Sequence, residues 1–150
     1  TALKAEIIAE MQKLLTPEVI KASLYDGVID FYCAIPTQII FLSRNIYPIV
    51  KAYADFLKFD DFKFDEKNKH LTLGSLILRN KSWKRMLLRV DGVAEERMID
   101  TARFHLRKKR LDDLLILRRS PELDGSFSHA DVLMGDDLGL VDIMKQIMKQ

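Results

Sequence analysis

The spacing of apolar residues changes near residue 58, and this change constrains the fold more than any other feature of the sequence. Before it, apolar residues recur at intervals of three and four, as on one face of a helix. After it, short stretches alternate apolar and polar residues, as strands do. The residues with helical spacing include Leu3, Ile7, Met11, Leu14, Ile49, Tyr53 and Phe56. The pattern predicts an α+β fold.

Proline, glycine and capping residues divide residues 1–58 into separate helices. Thr16-Pro17-Glu18 combines an N-cap residue, a proline suited to the first helical position and an acid in the first turn. Asp26-Gly27 then favours a helix end. The predicted helices span residues 2–15, 17–25 and 48–58, with two more on either side of Pro36.

Residues 59–80 show the alternation expected of a β-hairpin. Phe62-Lys63-Phe64-Asp65 and His70-Leu71-Thr72-Leu73 alternate apolar and polar residues, and a charged turn separates them. Gly74 is predicted to turn the chain into a third strand at Leu76–Leu78. This segment is expected to form the small sheet of the fold.

After residue 80, the sequence predicts helices and one buried strand. Ser82 caps one predicted helix, a second spans residues 93–108, and the apolar run at residues 114–117 suits a strand. A short helix is expected from Ser128 to Gly135. The last helix carries a narrow apolar stripe of Leu140, Val141, Met144, Ile147 and Met148. Residues 1–150 are thus predicted to be one mostly helical α+β domain with amphipathic helices at both ends.

Charge is unevenly distributed along the chain, although the net formal charge is only +2. Residues 79–119 hold thirteen Lys or Arg against six Asp or Glu, a net charge of +7. Residues 1–78 carry −1, and residues 120–150 carry −4. A basic segment of this density favours contact with a polyanion, because each Lys or Arg that meets a phosphate releases a condensed counterion.

The basic segment 81–119 is therefore the predicted nucleic-acid-binding region. Trp83 would stack on a base if it were exposed, although its spacing with Leu87 and Val90 favours core packing. The sequence contains no zinc-finger spacing, aromatic RNA-binding motif or KH-type loop, so it indicates phosphate contact without a recognised reading motif. The predicted contact residues are Lys81, Lys84, Arg85, Arg89, Arg103, Arg107, Lys108, Lys109, Arg110, Arg118 and Arg119.

Two other uses of these charges remain open. Asp100 lies three residues before Arg103, a spacing typical of an ion pair on a solvated helix. The acidic segment 120–150 would instead neutralise the basic segment by folding back onto it. Such a contact is either an ordinary part of the fold or a mimic that competes with nucleic acid.

The sequence supplies few of the groups that catalysis needs. Its three histidines, His70, His105 and His129, lie on different predicted elements, and His105 is expected to be a core residue. Cys33 lies in an apolar helix, where burial would leave it inert. Asp65-Glu66-Lys67 matches half of a nuclease pattern, in which carboxylates hold a metal and lysine stabilises the transition state. We predict a non-enzymatic protein without metal or cofactor.

The terminal helices are predicted docking elements. Helix-in-groove binding uses apolar anchors at the spacing of the stripe that begins at Leu140, and methionines adapt to irregular surfaces. We expect this stripe to contact a protein partner or a second copy of the chain.

Cysteine content and apolar run length indicate the compartment. A single cysteine excludes an intramolecular disulfide, which favours a reducing location. In the most apolar region, the longest run without charge, residues 31–43, has 13 residues. A bilayer crossing needs about 20 residues. A soluble, cytoplasmic protein without a membrane contact is predicted.

The leading interpretation is a nucleic-acid-associated factor that also meets a protein partner. The alternative is a structural or adaptor subunit that docks on an acidic protein surface or self-assembles. A metal-dependent nuclease that uses Asp65 and Lys67 is the third hypothesis.

Overall fold

Helices dominate the secondary structure, as predicted for this mostly helical α+β chain. The computed structural model describes residues 2–24, 28–34, 37–90, 95–118 and 131–133. Within these residues there are six helices and five strands, and the strands form one sheet of two and one of three. One compact unit runs to Lys67, and Asn68 begins a second. The single domain over residues 1–150 stays a prediction.

The first unit is organised around a helix that connects two parallel strands. Its described elements are α1 (Ala2–Leu14), α2 (Pro17–Ser23), α3 (Val28–Ala34), β1 (Ile40–Leu42), α4 (Tyr47–Leu57) and β2 (Asp61–Lys63). Because β1 and β2 pair in parallel, the chain must cross over between them, and α4 is that crossover. α4 packs against the other three helices and buries Val50, Ala54 and Leu57.

Local sequence signals account for the ends of α2 and α4. The Val19 N–H donates to the hydroxyl oxygen of Thr16 at 3.3 Å, and Pro17 opens α2, as the capping pattern predicted. α4 has Pro48 in its first turn and ends where Lys58 adopts a left-handed conformation, with φ at 57°. The predicted helices over residues 2–15, 17–25 and 48–58 are thus confirmed within one or two residues at each end.

The second unit repeats the strand–helix–strand arrangement. Its described elements are α5 (Lys69–Arg79), β3 (Arg85–Val90), α6 (Glu96–Arg107), β4 (Asp113–Arg118) and β5 (Asp131–Leu133). The strands are parallel in the order β3, β4, β5, and α6 connects the first two. α6 packs against α5 and β4, and it buries an apolar arc of Met98, Ile99 and Ala102. β4, in which Leu114 and Ile116 are buried, confirms the predicted strand at residues 114–117.

The predicted hairpin and the predicted strand at Leu76–Leu78 are wrong, because this part of the chain forms α5. Leu73, Leu76 and Ile77 are buried together, and their spacing of three and four places them on one helical face. That spacing outweighed the alternation of His70-Leu71-Thr72-Leu73. The first half of the predicted hairpin does form a strand, β2, which pairs in parallel with β1.

Three predicted helices are strands instead. The apolar run after Pro36 forms β1, the segment expected to follow Ser82 as a helix forms β3, and residues 131–133 form β5. In β3, Leu88 and Val90 are buried at a spacing of two, which is the period of a strand with one covered face. The last predicted helix lies outside the described residues, and with it the stripe of Leu140, Val141, Met144, Ile147 and Met148.

The helix at residues 69–79 predicts different effects for two leucines that a strand would place on one face. Leu73 is 5% exposed, whereas Leu71 is 63% exposed. Leu73→Ala should lower the free energy of unfolding by about 2–4 kcal/mol, because it leaves a cavity in the core. Leu71→Ala should change it by less than about 0.5 kcal/mol. Chemical denaturation of both variants measures the difference, and equal losses would contradict the helix.

Candidate nucleic-acid interface

Parallel pairing of β3 with β4 brings two separate basic clusters to one edge of the sheet. Arg85 lies opposite Asp113 in the strand register. The backbone N–H groups of Asp112 and Asp113 donate to the carbonyl oxygen of Lys84 at 2.8 and 3.2 Å. Because both strands start at this edge, the segment before β3 and the segment between α6 and β4 meet there.

We call this surface the basic edge. Two carboxylates also lie there, because Asp113 begins β4 and Asp112 directly precedes it. The Nε of Arg85 is 3.4 Å from Oδ2 of Asp113, but both side chains are more than half exposed, so this ion pair stabilises the protein little. The edge keeps a large excess of positive charge. Its exposed cationic residues are Lys81, Lys84, Arg85, Arg107, Lys108, Lys109 and Arg110.

The end of α6 is a Schellman motif built with a lysine at the glycine position. The N–H of Arg110 donates to the carbonyl of His105, and the N–H of Lys109 donates to the carbonyl of Leu106, both at 3.0 Å. The motif requires a left-handed residue, and Lys109 supplies it with φ at 59°. Glycine is the usual residue here because it has no Cβ to clash. Lys109 therefore places a cation at a position where glycine would leave the backbone less strained.

Phe104, His105 and Arg110 form a cluster within this helix end. Nη1 of Arg110 lies 3.0 Å from Nδ1 of His105, and the Phe104 and His105 rings pack edge to face with their centroids 5.3 Å apart. Nζ of Lys108 lies 5.6 Å from the Phe104 ring centroid, and Cζ of Arg110 lies 5.9 Å from it. His105 is 5% exposed, which confirms the predicted core position, whereas the Phe104 ring is 43% exposed.

The protonation state of His105 follows from this environment. Burial, and to a lesser extent the positive charge of Arg110, lower the pKa of His105 below its ordinary value of 6.5. The imidazole is therefore neutral at neutral pH. Since a guanidinium can only donate, Nδ1 of His105 accepts the hydrogen bond and holds the Arg110 side chain in place.

The other predicted contact residues are not part of the basic edge. Arg89 in β3 and Arg103 in α6 are half-buried. Arg118 ends β4, at the edge of the sheet opposite to Arg85. Arg119 lies outside the described residues. Seven of the eleven predicted contact residues therefore lie at the basic edge, and their contact with nucleic acid stays a prediction.

One part of the acidic segment 120–150 is described, and it does not cover the basic edge. β5 pairs with Ile116, Leu117 and Arg118, which form the last half of β4. The basic edge lies at the start of that strand. The rest of the acidic segment lies outside the described residues, so its predicted fold-back onto the basic segment stays a prediction.

The sequence made base stacking by Trp83 depend on its exposure and favoured core packing, and it did not single out Phe104. Trp83 precedes β3 and is half-buried, not part of a helical stripe with Leu87 and Val90. Phe104 is exposed and lies among the cations of the helix end. Its position off the apolar arc of α6 is the sequence signal that would have found it.

The candidate catalytic residues do not assemble into a site within the described residues. Cys33 is exposed, which corrects its predicted burial: α3 buries Val28 and Phe31, and Cys33 lies off that face. His70 is half-buried in α5 instead of starting a strand. Asp65 follows β2 in a left-handed conformation, and its N–H donates to the carbonyl of Asn45. In the described part of the chain, no three His, Cys, Asp or Glu side chains gather as metal ligands.

Comparison with protein-family models, with curated proteins and with solved structures finds no match to this chain. Of the helices that the structure describes, none combines the length and the apolar character that a bilayer crossing requires.

The lowered pKa of His105 predicts a pH dependence of stability. The unfolded chain takes up a proton on this residue near its ordinary pKa of 6.5, whereas the folded chain takes it up only at lower pH. The free energy of unfolding should therefore fall as the pH drops from 6.5 toward the folded pKa. His105→Gln, which keeps an acceptor for Arg110 but cannot titrate, should remove this component. Denaturation from pH 7.5 to about 5 measures it, and equal slopes in the two proteins would contradict the assignment.

Proposed function

We propose that the protein is a non-enzymatic, nucleic-acid-associated factor that contacts phosphates through the basic edge. The observation that carries the proposal is the meeting of two basic clusters at one end of the β3–β4 pair. Neither cluster alone exceeds what a solvated surface often holds. Together they present seven exposed cations and two carboxylates over a surface fixed by backbone hydrogen bonds.

Such a surface suits a phosphate backbone in particular. Lysine and arginine at successive positions follow a row of phosphates, and binding gains free energy from the counterions that the nucleic acid releases. The site offers no arrangement that reads base edges, so phosphate contact without sequence specificity is the expected mode. A cytoplasmic location suits this role and belongs to the proposal.

The left-handed lysine of the basic edge allows a test that separates binding from folding. Lys109→Gly removes one cation and relieves the backbone, so it should raise the free energy of unfolding by about 1 kcal/mol. It should nevertheless weaken binding to nucleic acid and reduce the slope of log affinity against log salt by about one unit. Fluorescence anisotropy of labelled DNA and RNA over a salt series measures both quantities, with a wild-type slope of roughly three to six units expected for this number of cations.

Lys58→Gly is the matched control. Lys58 is also an exposed lysine in a left-handed conformation at a helix end, but it belongs to the first unit. We expect the same gain in stability and no change in binding. Equal effects of the two variants on affinity would contradict the basic edge. No binding by the wild-type protein at low salt would overturn the proposed function and favour docking of the basic edge on an acidic protein.

We also propose that two copies of the chain contact each other through α1. None of the described residues of α1 is buried, and Leu3, Ile7 and Leu14 are exposed on one helical face. Exposed apolar side chains in a row are typical of helix–helix interfaces. The metal-dependent nuclease has no comparable support in the described residues.

Replacing Leu3, Ile7 and Leu14 together with serine should prevent this self-association. We expect the wild-type protein to exceed monomer mass in light scattering at micromolar concentration, and the variant to be monomeric. Gln12→Ser, an exposed change elsewhere on α1, is the control and should keep the wild-type mass. A monomeric wild-type protein would contradict the interface.

A further inference from the structure

The Phe104 side chain is exposed and lies beside two cationic side chains, whereas a phenylalanine that stabilises a core is usually buried. It lies on α6, where Met98, Ile99 and Ala102 already form the buried face. With 43% of its surface exposed, the ring contributes little to the core. Its cationic neighbours are Lys108 and Arg110. Nζ of Lys108 lies 5.6 Å from the ring centroid, and Cζ of Arg110 lies 5.9 Å from it.

We infer that Phe104 is a stacking platform for a nucleobase and that the basic edge binds single-stranded nucleic acid. The inference rests on the proposed function and names its substrate class. Proteins that bind single strands combine cations that follow the backbone with aromatic rings on which bases stack. In a duplex, each base is already stacked and paired, so its face is closed to Phe104.

The surroundings of Phe104 suit this role. His105 packs its ring edge to face against Phe104, and because His105 is buried and holds Arg110, this side of the platform is fixed. Lys108 is exposed and its ammonium sits near the ring. An incoming base takes the place of this ammonium, and the flexible lysine stem then allows Lys108 to pair with the adjacent phosphate.

The test compares single-stranded with double-stranded probes. The probes are a labelled oligothymidine and a labelled blunt duplex of the same length, measured by anisotropy at fixed salt. Phe104→Ala should weaken binding of the single strand by roughly 5- to 150-fold, the loss of one stacked base, and leave duplex binding unchanged. Phe104→Tyr keeps the aromatic face and should restore single-strand affinity. Leu78→Ala, an exposed apolar change on α5, is the control and should change neither.

The possible failures are distinguishable. If Phe104→Ala affects both probes equally, or neither, while Lys109→Gly still weakens binding, the stacking platform is overturned and the phosphate-binding edge is kept. If the wild-type protein binds neither probe at low salt, the proposed function fails and the inference with it. Thermal denaturation of Phe104→Ala checks that the fold is retained, as expected for an exposed side chain.

Discussion

The parallel pairing of β3 with β4 is the constraint on which the candidate interface depends. In a parallel pair both strands begin at the same edge, so the residues that precede them are neighbours, although 28 positions separate Arg85 from Asp113 in the sequence. The carbonyl of Lys84 accepts from both Asp112 and Asp113, which fixes the register of the two segments. An antiparallel pair would have placed the same two basic clusters at opposite ends of the sheet.

The end of α6 shows how the fold tolerates this concentration of charge. The Schellman motif satisfies carbonyls that the helix leaves free, and Arg110 takes the position where an apolar residue usually covers the motif. It lies against Phe104 and bonds to a neutral His105, so that its charge is held by a ring face and an imidazole nitrogen instead of a carboxylate. Burial is the main reason that the pKa of His105 is lowered, and only the neutral imidazole can accept the hydrogen bond that positions Arg110.

Helices with a single apolar face and a clear cap were predictable from the sequence. Thr16 and Pro17 fixed the start of α2, and the arc of Met98 and Ile99 fixed the buried face of α6. The errors occurred where two periods coexist. His70-Leu71-Thr72-Leu73 alternates like a strand, yet Leu73 belongs with later residues on a helical face.

The short parallel strands were harder to recognise for a physical reason. β1 is a short apolar run, which has no period that separates a buried strand from a buried helix, and around β3 the positions of Trp83, Leu87 and Val90 also fit a helical spacing. The basic clusters themselves were visible as composition, because charge density needs no structure to be read. The proximity of the two clusters was not visible in the sequence, since it depends on the register of two strands far apart in the chain. The exposure of Phe104 was not predicted either, because it depends on which face of α6 is covered.

The helix dipole alone does not account for the basic edge. The C-terminus of α6 carries a partial negative charge, which stabilises cations in the last turn and accounts for one or two of them. Four consecutive cations, Arg107 to Arg110, together with those before β3, exceed what this partial charge and two exposed carboxylates neutralise. Like charges at this spacing repel one another in the free protein, and screening by salt only weakens the repulsion. A bound polyanion would replace that repulsion with attraction, which is the physical basis of the proposed contact with phosphates.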